Sequence, residues 1–147
     1  MDSASLKDLG TFEPDEMLPA PGQGALAVEC LARAADLGEL LAAIGDPASH
    51  AAVTAERSLL AALQGGCSAP VGAYADHTAP AGPGQFGTVH LRAGVFDRGG
   101  LGAVRTSASA GTAQARSLGQ ELAAELLRRG AGNYISVTQP SDGGDAQ

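Results

Sequence analysis

Tryptophan is absent from this 147-residue chain, and aromatic residues make up only 3% of it. So few rings leave little surface for stacking on bases or sugars, and any core must be aliphatic and rich in alanine. Basic residues are also scarce. Nine Lys and Arg face sixteen Asp and Glu, for a formal charge of -7, and no block of them offers a footprint for a phosphate backbone, which argues against nucleic acid as a partner. Long apolar runs are missing too: none approaches the 18 residues of a spanning helix. The first stretch, MDSASLKDLGTFEPDE, lacks the basic start and apolar middle of a signal peptide. Neither membrane insertion nor export is expected, and the expected compartment is the cytoplasm. Cysteine occurs twice, at Cys30 and Cys67, too far apart for a C-x-x-C pair and too few for a disulfide framework. His50, His77 and His90 show no metal-ligand spacing among themselves or with the cysteines, so no metal is expected.

A hydrophobic fraction of 44% with 17% charged residues is ordinary for a globular fold. The first 24 residues are polar and then rich in Pro and Gly (MLPAPGQG), which reads as a connection. Ala25–Cys30 is a short apolar run that fits a buried strand, with Cys30 packed in a core. Leu37–Ile44 reads as a short helix. Asp46 before Pro47 predicts an N-cap and a first helical proline, opening a helix to about Gln64. Along it Ala52, Ala55, Leu59, Leu60 and Leu63 form an apolar stripe, with Glu56 and Arg57 read as ordinary helix surface. Gly65 suits a left-handed helix end.

Val71–Ala75 and Thr88–Phe96 read as strands, the second with strict alternation; Asp97–Gly100 predicts a hairpin turn into a strand at Leu101–Thr106. Thr112 is expected to cap a second long helix lined by Ala115, Leu118, Leu122 and Leu126, with Arg128 and Arg129 at its end before Gly130. A last strand at Tyr134–Thr138 precedes a flexible tail. The order helix, strand, strand, strand, helix, strand predicts an α+β fold, a small antiparallel sheet with helices packed on one face. The preceding strand and linker read as a partial segment of an incomplete α/β domain.

Cys67, in LQGGCSAP, is the sharpest chemical feature. A free cysteine is most often a small hydrophobe. A glycine loop on a scaffold is nevertheless where functional groups concentrate. A helix C-terminus carries partial negative charge and disfavours a thiolate, which argues against a cysteine protease. PGQGA at Pro21–Ala25 is followed by an apparent strand rather than a helix, so it reads as a turn and not a phosphate loop.

Three stretches read together, MLPAPGQGALAVEC, VTAERSLLAALQGGCSAPVGAYA and LGQELAAELLRRGA, resemble the C-terminal part of porphobilinogen deaminase (hydroxymethylbilane synthase). The resemblance implies a transferase of tetrapyrrole and haem biosynthesis that joins four porphobilinogens into hydroxymethylbilane with release of ammonia. It implies a dipyrromethane cofactor held by a thioether to Cys67, with Gly65 and Gly66 leaving room for it and Gln23 and Gly24 lining the cleft. Permanent attachment needs no strongly depressed thiol pKa. It further implies that residues 1–43 are a piece of the family's other domains, residues 44–138 its C-terminal domain and residues 139–147 a tail.

The proton-handling carboxylate and most of the carboxylate-binding arginines would then belong to an absent N-terminal half, so no catalytic residue is expected here and the chain alone should be an inactive monomer. All but one of the nine basic residues are arginines, too few and too scattered for a growing tetrapyrrole precursor. Leu31 stands where many relatives place an arginine, with Arg33 two positions on. Three readings stay open: a part of that enzyme, with porphobilinogen as its small-molecule substrate; a truncated non-catalytic relative serving as an interaction or small-ligand module; or a piece that complements a separately encoded N-terminal half.

Overall fold

The computed structural model describes residues 12–64, 69–82 and 86–135. Its helices are α1 (Ala35–Ile44), α2 (Pro47–Ala62) and α3 (Ala115–Arg128), and its strands β1 (Val71–Thr78), β2 (Thr88–Phe96) and β3 (Ala103–Gly111). Short 3-10 turns, Thr112–Gln114 and Ala131–Asn133, flank α3. The strands form one antiparallel sheet in the order β1-β2-β3. This is the α+β architecture that the element order predicts.

One face of the sheet is apolar because the strands alternate in register. Val71, Ala73 and Ala75 lie beside Val95, Ala93 and Leu91, and Leu91 and Val95 in turn face Ala108 and Val104. Helices α2 and α3 cover this face with Ala55, Leu59, Leu118, Leu122 and Leu126, all buried. The helices meet closely at Gly119, where a Cβ would lie 2.7 Å from the Leu59 amide nitrogen. Ser58 Oγ donates a 2.7 Å hydrogen bond to the Arg116 carbonyl at the same crossing. Small side chains at this contact let two helix backbones approach and bury the aliphatic stripes beside them.

Local signals explain the element ends. Asp46 accepts from the Ser49 amide at 2.9 Å and from Ser49 Oγ at 2.6 Å, the expected N-cap ahead of Pro47. These bonds, Ser49 Oγ first, hold the Asp46 carboxyl below its ordinary range. The left-handed residue after α2 is Gln64, at φ 52°, while Gly65 lies outside the described residues. Gly130, at φ 95°, ends α3 as its glycine suggests.

Several expectations need correction. Ala25–Cys30 forms no strand; these residues are exposed, Leu26 almost wholly. A ladder needs a neighbour to accept its hydrogen bonds, and no described strand lies alongside. Cys30 is consequently exposed, not core. Thr112 does not cap α3; it opens a 3-10 turn, and its Oγ1 lies 3.1 Å from His77 Nε2. Strand β3 runs on to Gly111, five residues past the expected end, because β2 offers partners along its full length. Tyr134 and Ile135 are not in a strand, and the remainder of the strand expected there, with the tail, lies outside the described residues.

Candidate functional site

The segment before α1 does not hang free at its start. It crosses the outer face of the sheet, where Leu18 fills a notch over Gly72 and Gly94; a Cβ on Gly72 would come within 2.7 Å of Leu18 Cβ. Arg92 pairs with Asp15 (3.2 Å) and with Asp76, and Arg105 Nη1 donates to the Asp15 carbonyl at 2.7 Å. The chain then rounds the β1 edge, where Ala73 N–H donates to the Pro19 carbonyl at 2.9 Å.

Beyond Pro19 come two consecutive turns. Gln23 N–H bonds the Ala20 carbonyl at 3.0 Å and Ala25 N–H the Gly22 carbonyl at 3.4 Å. Gly22 and Gly24 sit at φ 78° and 87°. Pro followed by a left-handed Gly is the pattern of a type II turn, and PGQG holds the positive φ at both glycines without strain. This is the turn expected for PGQGA. Gln23 and Gly24, the candidate cleft residues on it, are exposed.

Glu56 of α2 anchors this turn. Its Oε2 accepts from Gly22 N–H at 2.6 Å and its Oε1 from Ala75 N–H at 2.7 Å. The residue is only 6% exposed, so the expectation of ordinary helix surface fails. Burial pushes its carboxyl pKa up, against the two amide bonds that lower it, and the nearby Asp76 charge raises it further. The signal was present in the spacing: Glu56 falls four residues after Ala52 and three before Leu59, inside the apolar stripe.

Helix α2 leads from Glu56 to the loop of Cys67. Leu63 is buried at its end, and at the far side of the loop Val71 N–H bonds the Ala69 carbonyl at 2.8 Å as β1 begins. Gly65, Gly66 and Cys67 themselves lie outside the described residues. Arg33 is exposed, as is Leu31. The histidines do not converge: His50 is exposed on α2, His77 bonds Thr112, and His90 Nδ1 lies 2.8 Å from Ser109 Oγ. Among the described residues no group of three His, Cys, Asp or Glu could hold a metal ion. No described helix is long and apolar enough to cross a membrane.

Residues 50–128, which span most of α2, the sheet and α3, match the porphobilinogen deaminase C-terminal domain. The chain belongs to the porphobilinogen deaminase family. It is 54% identical over 126 residues to porphobilinogen deaminase 1 of Streptomyces avermitilis, covering 82% of this chain and 38% of that protein. The porphobilinogen deaminase of Acidothermus cellulolyticus is 51% identical over 132 residues, 86% of this chain and 37% of its own length. That of Mycolicibacterium gilvum is 47% identical over 127 residues, 85% and 41%. The chain therefore spans about two fifths of the length of these relatives. The family assignment covers the elements that hold the Glu56 anchor and both ends of the Cys67 loop.

Proposed function

We propose that this chain is the cofactor-carrying C-terminal portion of a porphobilinogen deaminase, a transferase that condenses porphobilinogen into hydroxymethylbilane. The observation that carries this reading is Cys67 in the GGC stretch after α2, inside the segment that matches the family's C-terminal domain. In it the sulfur of Cys67 holds a dipyrromethane through a thioether. The bound group supplies the pyrrole end from which the product chain grows. Gly65 and Gly66 give it room, and Gln23 and Gly24 border the cleft.

The described residues suit one half of that task. Leu63 and Val71, on either side of the Cys67 stretch, are both buried, so a tether at Cys67 is flanked by two core residues. Binding the cofactor's carboxylates is a different matter, because each wants a guanidinium. Arg92 is committed to Asp15 and Asp76, Arg128 and Arg129 to Glu125, and Arg105 to the Asp15 carbonyl. The cations, and the carboxylate that moves protons during condensation, are assigned in this reading to an N-terminal part of the family polypeptide. The exposed apolar side chains of Leu26, Val28, Leu31, Leu37, Leu40 and Ile44 support such a neighbour, since α1 buries no residue of its own. Residues 44–138 are then the C-terminal domain, residues 12–22 a strap laid over it, and the cytoplasm its place of work.

Intact-mass spectrometry of the chain, co-expressed with the N-terminal part of a relative, tests the reading. A mass increase of two linked pyrroles that maps to Cys67, with porphobilinogen consumption by the mixture and none by the chain alone, is expected. A bare Cys67 in an active mixture overturns it.

A further inference from the structure

We infer that Glu56 is a positioning residue: its carboxylate spans two elements and fixes the Pro21–Gly24 turn against the edge of β1. Three observations carry this. One oxygen takes the Gly22 amide at 2.6 Å and the other the Ala75 amide at 2.7 Å, so both are used on backbone rather than on a side chain that could swing away. Glu56 is buried in the middle of α2, where a charged group persists only if it is fully hydrogen-bonded. Gly22 and Gly24 would meet nothing within 4 Å if they carried a Cβ, so the Gly22 amide bond to Glu56 is a direct hold on the turn where its glycines meet open space. The role deepens the reading above, on which Gln23 and Gly24 line the cofactor cleft, because α2 carries both Glu56 and the start of the Cys67 loop. Glu56 to Leu63 is seven residues, about 10 Å of helix. One helix therefore sets the separation of the Glu56 anchor from Leu63, the last core residue before the Cys67 stretch. The charged and titratable groups facing Glu56 are Asp76 and Tyr74, both on β1.

Amide hydrogen exchange in the full 147-residue chain tests this by NMR. Gly22 should exchange about tenfold or more slowly than an unstructured glycine amide, as a charge-assisted bond requires. In Glu56→Ala that protection should vanish at Gly22 while Leu91 and Leu122 in the core keep theirs. Free exchange of Gly22 in the unsubstituted protein, or retained protection in a folded Glu56→Ala variant, overturns the inference. Should Glu56→Ala fail to fold, the unsubstituted chain suffices: the Gly22 and Ala75 amide shifts must move together with the titration of the Glu56 carboxyl, and a flat Gly22 shift overturns the inference. Neither readout depends on whether Cys67 carries a pyrrole, so failure here and failure of the cofactor reading are separately visible.

Discussion

Gly119 of α3 lies against Leu59 of α2 so closely that a Cβ would approach the Leu59 amide nitrogen to 2.7 Å and Ser58 Cβ to 2.9 Å. The first neighbour is helix backbone and cannot turn aside. Gly119→Ala should therefore force the helices apart and destabilise the domain by about 1–3 kcal/mol, although alanine is the better helix former. Urea unfolding of the two proteins checks it; an equal or raised midpoint would contradict the close crossing.

Leu18 should act as the pin of the strap over the outer sheet face. Leu18→Ala removes the side chain that fills the notch at Gly72 and Gly94, at a cost of about 1 kcal/mol for a half-buried leucine. Limited proteolysis should cut within residues 12–22 faster in the variant, with α2, α3 and the sheet still resistant. Unchanged cleavage would show the strap to be held elsewhere.

The raised Glu56 pKa has a definite sign in the pH dependence of stability. Its ordinary value is 4.5 and burial lifts it in the fold, so between 4.5 and the lifted value the native state binds more protons than the unfolded chain. Its contribution to stability thus falls as pH rises through that window. Unfolding free energies of the unsubstituted chain and Glu56→Gln, measured from pH 4 to 7, should show the unsubstituted chain losing ground to the variant as pH increases. Asp46 and Glu125, held low by their partners, act in the opposite direction but cancel between the two proteins.

Cys30 is exposed and should react with a disulfide reagent as fast in the native chain as in denaturant. Cys30→Ser should lower the number of thiols reacting in this fast phase by one. A chain with a thioether on Cys67 then titrates no thiol even when unfolded, whereas a bare one titrates a single thiol.

Much of this fold is legible in the sequence because its signals are local. Strand β2 begins and ends where its alternation does, at Thr88 and Phe96. Asp46 and Pro47 mark the start of α2 by chemistry confined to four residues. Strand β3 outruns its sequence signal because SASAG at its end has little strand propensity; pairing with β2, not propensity, extends it to Gly111. The strand expected at Ala25–Cys30 rested on an apolar run alone, and such a run states a wish for burial without naming the surface that provides it. Glu56 is buried against expectation because a carboxylate beside an arginine looks solvated in sequence; only its place in the apolar stripe points the other way. Of the candidate site, the Pro21–Gly24 turn was readable from its glycines, while the partner holding it lies 34 residues away, beyond any local pattern.

The buried ends of the Cys67 loop also limit travel. From Leu63 or from Val71 to Cys67 is four residues, a leash of about 14 Å at full extension. Whatever hangs on that sulfur can sweep only a short arc about the end of α2. Any larger excursion of a group on that sulfur would have to carry the two buried ends, and the α+β body that holds them, along with it.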